Sequence, residues 1–404
     1  MPLIKASSPL SRALRKSLPE RPFNVRFWDG GGVQATSAGA PTFFVRSPSA
    51  MSQFLRAPGT LGLGRAYVEG ALDVDDLDAA FIVVDDWTPP QLNLAERARL
   101  GLGVALAALP GGLPHRPSLE LILRGERHSL QRDAAAIRYH YDVGNEFFGL
   151  FLDESMTYSC AIYSRGAQTL KDAQRTKLEL VASKLDLKPG MALLDVGCGW
   201  GSFAIHAARH HGVTVTGLTL SPSQAELARE LVAAAGLSEQ VEIRVADYRE
   251  LPRAAYDAIA SIGMSEHVGD SQIDRYAASL FGLLRPGGVL LNHAIAALDP
   301  EYDSLEDEFS MRYVFPDGEA LALSRVQLAL ERAGLRIDHV EGFREDYSQT
   351  LREWTKRLDE HLERAEELAG IERTRIWRLY LRAARHGFDT GITSVYQVRA
   401  RRPG

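Results

Sequence analysis

Residues 191–211, MALLDVGCGWGSFAIHAARHH, decide the fold. The run Met191–Val196 is short and apolar, as expected for a strand buried in a sheet. The turn Gly197-Cys198-Gly199-Trp200-Gly201 follows, and a helical stretch begins after it. Glycines at such a turn let a ligand approach the backbone where a helix N-terminus points. Asp195 stands at the end of the strand, and GVTVTGLTLS (212–221) supplies a second strand at the spacing of a βαβ unit. Two strands so placed would face one nucleotide.

A dinucleotide site would place an acidic residue about 20 positions on, at the end of the second strand. That position offers Thr219, Leu220, Ser221 and Gln224 instead, which argues against a common nicotinamide site. A third strand, VEIRVADYREL (241–251), ends in Asp247-Tyr248, where a carboxylate and a ring could hold an adenine edge and face. The plainer reading of that pair is a helix cap and a core tyrosine, and of Cys198 a small apolar filler.

From Ala136 onward strands alternate with helices, the pattern of an α/β fold with a parallel sheet covered on both faces. Three parts are expected: an N-terminal α+β module over 1–84, a helical linker over 85–135 and a catalytic domain over 136–404. The linker has prolines at 89, 90, 110, 114 and 117 around the helical stretch QLNLAERARLGLGVALAAL (91–109). Helical insertions are expected between Pro300 and about Gly387, and an antiparallel closing strand after them.

With 404 residues and 45% hydrophobic content the chain can bury a large core. Its formal net charge of −6 argues against a nucleic-acid binder, which would carry a basic excess. Two cysteines, Cys160 and Cys198, are too few for a disulfide framework, so a cytoplasmic location is expected. The apolar stretch 100–109 falls short of the ~20 residues of a spanning helix, and neither secretion nor a membrane span is expected.

Five stretches, two of them overlapping those above, carry a family resemblance: RYHYDVGNEFFGLFLDESMTYSCAIY (138–163), LLDVGCGWG (193–201), GLTLSPSQ (217–224), SIGMSEHVG (261–269) and DYSQTLREW (346–354). In order and spacing they resemble the motifs of the cyclopropane-fatty-acyl-phospholipid synthases, S-adenosylmethionine-dependent methyltransferases. The similarity extends back through LGLGRAYVEG (61–70), which looks like the family's lipid-handling N-terminal module, and forward to ITSVYQVRARR (392–402).

The resemblance implies a Rossmann-like methyltransferase domain with a smaller α+β lipid-handling domain. It implies a cofactor site for S-adenosyl-L-methionine built from Tyr158, Ser159, Asp195, Gly197, Gly199, Gly201, Thr219, Ser221, Gln224, Asp247 and Tyr248. It further implies a bound bicarbonate acting as base, held by Cys160, Glu266, His293, the Ile295 backbone and Tyr347. The implied reaction adds a methylene carbon to the cis double bond of an unsaturated phospholipid acyl chain. Methylene- or methyl-branched products, or methylation of a small amine, are the alternatives. One position departs from the family: Ser265, where many relatives carry an aromatic residue, a difference that bears on acyl-chain preference.

Bland readings stand beside these. Tyr139, Tyr141, Phe147, Phe148 and Tyr158 could stabilise a carbocation or simply pack a core. His293 and Glu266, taken singly, are as ordinary as any satisfied structural residue. His206 and His210 lie four apart on one helix without an evident third ligand, so no metal is expected. The arm with Lys5, Arg12, Arg15, Lys16 and Arg21 could lie on an anionic bilayer or form a disordered tail. The expected partners are the unsaturated phospholipid, a membrane contacted peripherally and, as a possible homodimer, a second copy of the chain.

Overall fold

The computed structural model describes residues 6–112, 116–253, 256–299 and 308–404, and the side chains of all of these except 84–86. Two compact units result: Met1–Leu121 with Asp307–Tyr313 and Gly370–Ala383, and Ile122–Glu306 with Val314–Ala369 and Ala384–Gly404.

In the first unit a four-stranded sheet, β1 (Asn24–Phe27), β2 (Gly32–Val33), β3 (Thr42–Val45) and β4 (Leu72–Val74), has the order β2-β1-β3-β4. Its helices are α1 (Ser8–Ser17), α2 (Ser49–Arg56), α3 (Thr60–Val68), α4 (Leu77–Asp86) and α5 (Leu94–Ala108). Asn93 and Glu96 form a reciprocal capping box that starts α5. Gly103 lets α5 meet α1 closely, since a Cβ there would lie 3.0 Å from the Leu10 Cα.

This division differs from the expected boundaries at 84 and 135, and packing is the reason. The expected linker helix α5 places Ala107 in the first unit's own core, with Val104 packed against it. Two later stretches join it through arginines. Glu120, fully buried, accepts both Nε (2.8 Å) and Nη2 (2.8 Å) of Arg65 and Nη1 (2.8 Å) of Arg312. Arg375 donates to the Tyr67 (2.5 Å) and Leu72 (2.9 Å) carbonyls, with its guanidinium 4.0 Å from the Tyr67 ring centre.

The basic arm, too, differs from one reading offered for it: among the described residues it is not a disordered tail. It folds as α1, buries Leu10 and Ala13, and is tied down by Ser7, whose N–H and hydroxyl both donate to Asp29. Arg15 and Arg21 donate to the Gly32 and Gln34 carbonyls. Arg12 and Lys16 remain exposed, and Lys5 lies outside the described residues.

The second unit is built on a seven-stranded sheet: β5 (Ala192–Val196), β6 (Thr214–Thr219), β7 (Val241–Val245), β8 (Tyr256–Ile262), β9 (Leu284–Ala297), β10 (Arg336–Gly342) and β11 (Thr393–Arg401). Its order is β10-β11-β9-β8-β5-β6-β7. The five strands from β9 to β7 run parallel, and β11 lies antiparallel between β9 and β10. The helices after α5 in chain order are α6 (Leu130–Tyr141), α7 (Asn145–Gly149), α8 (Leu170–Lys184), α9 (Ser202–His211), α10 (Pro222–Ala234), α11 (Ile273–Leu283), α12 (Glu308–Tyr313), α13 (Leu323–Arg332), α14 (Arg344–Glu360), α15 (Leu362–Ala369) and α16 (Ile371–Thr390). Of these, α12 and the first part of α16 belong to the first unit.

Successive residues of the central strands feed opposite cores, as period-two geometry requires. Leu193, Ala258, Ala260 and Leu291 enter one cluster, and Leu194, Ile259 and Leu290 the other. This is the Rossmann-like methyltransferase architecture expected, with the closing strand antiparallel. The stretch expected to hold helical insertions also contributes β10, whose alternation in RIDHVEG is masked by polar residues on an edge strand.

Candidate active site

At the C-terminal ends of the parallel strands, where open α/β sheets bind ligands, a cavity opens over the glycine turn. Gly197, Gly199 and Gly201 all have positive φ (77°, 55° and 84°), a backbone region side chains rarely adopt. At Gly199 a Cβ would project into open space, with only Gln224 Nε2 at 4.0 Å. Gly201 serves a different end: it does not line the cavity, and a Cβ there would press on Ala228 of α10 at 3.4 Å.

Of the other residues expected to hold the cofactor, Tyr158, Ser159, Asp195, Thr219, Gln224, Asp247 and Tyr248 line the cavity. Ser221 does not. Fully buried, it caps α10, accepting the Gln224 N–H at 3.2 Å, so its contribution is to hold Gln224 in place. The Thr219 hydroxyl donates to Gln224 Oε1 at 2.8 Å, which turns the amide nitrogen toward the glycine turn.

Asp247 and Tyr248 take the plainer roles of cap and core ring, and they are also open to the cavity. Asp247 starts a short 3-10 turn and pairs with Arg249 (2.6 and 2.8 Å), while Tyr248 meets Tyr276 edge-on at 5.6 Å; both still face the cavity.

The electrostatic centre is a residue the sequence reading passed over. Lys177 is buried, lines the cavity and donates to Ser159 Oγ at 3.0 Å. Burial pulls its ammonium down to about 8, against the pull of Asp153, Cys160 and Asp195. Burial likewise raises Asp195 to about 7, and its Oδ2 has no partner among the described residues. One signal was legible: a lysine on the apolar stripe of α8, between Ala173 and Val181, has no reason to be there unless it is paired. Trp200 is held by Asn145, which accepts its indole N–H at 2.7 Å, and Tyr141 stands edge-on to it at 5.7 Å.

Beside this cavity lie the residues expected to bind bicarbonate, and backbone pairing ties them together. The Ile295 N–H donates to Glu266 Oε1 at 2.7 Å. Ile295 is opposite Val395 in the β9–β11 pair, and the Val395 carbonyl accepts the Phe343 N–H. The Phe343 carbonyl in turn accepts the Tyr347 N–H at 3.0 Å and faces the Cys160 thiol at 3.8 Å. Thus the Ile295 amide, expected to face an anion, is engaged by the Glu266 carboxylate. Glu266 Oε2 has no partner among the described residues, and burial raises this carboxyl to about 7. Burial also raises the Cys160 thiol well above its ordinary range, so it is a neutral S–H. Tyr347 packs its ring on Phe388 at 4.6 Å.

His293 has a determined tautomer. Lys184 can only donate, and its Nζ donates to Gln397 Oε1 at 2.7 Å, so the Gln397 Nε2 faces His293 Nδ1 at 3.0 Å as donor. The ring proton therefore sits on Nε2, a buried donor without a partner among the described residues. Burial, with Lys177 and Lys184 nearby, holds this imidazole down to about 3, so it is neutral.

The histidine pair expected to be inert is more than a pair. Glu179 Oε2 faces Nε2 of His206 and of His211, so the neighbour of His206 in this group is His211 and a carboxylate joins them. Among the described residues no helix is long and apolar enough to cross a membrane, and both cysteines are free and buried.

Comparison with known proteins agrees with this geometry. Residues 128–398 match the family described as Mycolic acid cyclopropane synthetase. The chain is 38% identical to a "Probable fatty acid methyltransferase" of Mycobacterium tuberculosis, over 88% of this chain and 86% of that one. It is 33% identical to the cyclopropane-fatty-acyl-phospholipid synthase of Escherichia coli, over 91% and 89%. Among solved structures, the mycolic acid cyclopropane synthase CmaA1 in complex with SAH and CTAB superposes with a TM-score of 0.63 at 32% identity, covering 66% of this chain and 98% of that one. With the glycine turn, the cavity-lining Asp195 and a sheet of this order all in place, the chain belongs to the cyclopropane synthase family of S-adenosylmethionine-dependent methyltransferases.

Proposed function

We propose that this enzyme adds a one-carbon unit to the cis double bond of unsaturated acyl chains in phospholipids and closes a cyclopropane ring. The observation that carries the reading is a pair of buried polar atoms without partners among the described residues, the His293 Nε2–H on β9 and Oε2 of Glu266, whose other oxygen is bound to the Ile295 N–H of the same strand. A buried acceptor and a buried donor left open along one strand fit a small oxyanion such as bicarbonate, with Cys160 and Tyr347 tied to the neighbouring strand through Phe343. Amine methylation would need no such base, since no proton has to leave the transferred carbon.

When bound, S-adenosylmethionine supplies an electrophilic methyl carbon, and bicarbonate a base for the proton that this carbon must lose. The chain's residues supply the rest. Asp195, Gly199, Gln224, Asp247 and Tyr248 would hold the cofactor, the acceptors toward its amino and ribose groups. An alkene is a weak nucleophile, so position and exclusion of water matter most. Tyr158 stands 5.2 Å from Trp354 and 5.5 Å from Phe148 within a packed aromatic group. Ring faces there would stabilise positive charge developing on the acyl chain. His293 and Glu266 would seat the base, His293 by donating from Nε2 and Glu266 by accepting at Oε2.

A second reading, a methylene- or methyl-branched product, is favoured by one observation: several relatives bear fatty acid methyltransferase names, including the tuberculostearic acid methyltransferase UfaA1 at 32% identity. Mass spectrometry of lipids from cells expressing the chain tests both. A gain of one CH2 with loss of olefinic signal is expected for the ring; a methylene branch gains the same CH2 but keeps a double bond, and a methyl branch gains two further hydrogens from a reductant. NMR then separates a ring from a branch, and unchanged lipids would reject both.

Because Gln397 sets the His293 tautomer, Gln397→Leu is expected to lower turnover at least about tenfold with cofactor affinity unchanged, the loss of one oriented hydrogen bond to a reacting group. Steady-state kinetics beside calorimetric titration checks the split. Normal turnover in this variant would show that the tautomer is irrelevant.

Access to a bilayer-embedded substrate calls for a peripheral membrane contact. On α5 Leu94 and Leu102 are 85% and 62% exposed, and Leu109 in the turn directly after it is 74% exposed, an apolar surface suited to the headgroup boundary. Sedimentation with vesicles containing anionic lipid is expected, with release by salt because charge contacts are screened over ~10 Å at 0.1 M. A Leu94→Glu/Leu102→Glu variant should sediment less; equal sedimentation would place the contact elsewhere.

A further inference from the structure

Outside the cavity, α8 and α9 bring three metal-competent donor atoms together. Nε2 of His206 lies 3.1 Å and Nε2 of His211 3.2 Å from a single oxygen, Glu179 Oε2, and all three donors fall within 4.8 Å of one another. None of the three residues lines the cavity. The helices hold them there rigidly. Small residues at their contact, Ala182 on α8 and Ala204, Ala207 and Ala208 on α9, are almost wholly buried and let the axes approach. Gly212, in the left-handed region at φ 65°, ends α9 directly after His211 and turns the chain away.

We propose that Glu179, His206 and His211 form a three-ligand site for a zinc-type divalent cation, with water completing the coordination. Zinc binds imidazole nitrogen and carboxylate oxygen at about 2.0–2.2 Å, which sets neighbouring donors of a tetrahedron ~3.3 Å apart. The two measured separations match that edge. The ligand chemistry matches as well, since zinc takes imidazole nitrogen and carboxylate oxygen together. The His206 side chain is 9% exposed. His210, whose ring centre is 4.7 Å from that of His206, is not one of the three. A cation here would clamp α8, which carries Lys177 into the cavity wall, to α9, which starts at the glycine turn.

The test uses the untagged, chelator-treated full-length protein titrated with zinc sulfate by calorimetry. One zinc per chain is expected, with a thermal midpoint that rises with zinc concentration. His211→Ala and Glu179→Gln should each weaken binding at least about tenfold, and His210→Ala should leave it unchanged. Both weakened variants should keep the parent's circular dichroism spectrum, since both positions are partly exposed, so that lost binding is distinguished from lost folding. Cobalt(II) is the second probe: the intense visible bands of a tetrahedral ion are expected in the parent and should vanish in His211→Ala. If zinc binds no better than millimolar, or binds the three variants alike, the site is only a carboxylate accepting two hydrogen bonds and the proposal is overturned.

Discussion

Glu266→Gln and His293→Ala are each expected to reduce turnover at least about a hundredfold while leaving S-adenosylmethionine affinity within about twofold. The size follows from what is lost: placement of a base in a transition state contributes ~10²–10⁴ in rate. The selectivity follows from geometry, because neither residue is among those lining the cavity over the glycine turn. Rate loss without affinity loss marks an interaction used only in the transition state. Depleting bicarbonate from the buffer should slow the parent enzyme and restoring it should recover the rate, whereas the Glu266 variant should respond little. Tyr347→Phe should fall between, since it removes a hydroxyl and keeps the ring against Phe388. Parent activity indifferent to bicarbonate, with near-normal turnover in both variants, would sink the assignment of these residues as the base site.

Gly199→Val should abolish measurable cofactor binding in calorimetric titration. Two effects add. Gly199 sits at φ 55°, where a β-branched residue is strained, and its Cβ would enter the open space of the cavity. Strain of this kind costs about 1–3 kcal/mol, and steric exclusion of the ligand comes on top of it. Gly201→Ala offers the contrast. That site borders Ala228 and not the cavity, so stability should fall while affinity is largely kept. A folded Gly199→Val protein with unchanged affinity would remove the turn from the cofactor site.

Much of this was legible in the residues alone, for a physical reason. The strand–turn–helix at 191–211 is local: apolar run, glycine turn and helix follow one another in the chain, so period and glycine placement suffice to read them. The α/β class followed from repeating that unit, and the family from five ordered motifs. What sequence could not supply were relations between distant residues. The N-terminal division depends on Arg375 reaching the Tyr67 and Leu72 carbonyls from some 300 residues away, and no local pattern carries that contact. The basic arm read as free because its packing against α5 is invisible until both are folded. Ser221 and Gly201 matched a cofactor motif, yet the structure gives one to capping and the other to helix packing, since a motif records which residues recur and not which way they face. The proton on His293 Nε2 is decided by Lys184 and Gln397, on a helix and a strand far from it in the chain. Likewise Glu179 meets His206 and His211 only because alanines let two helices close together. The sequence determined the elements and the turn that receives the ligand; side-chain direction and protonation were settled by tertiary packing, because burial and hydrogen-bond partners exist only once the chain has folded.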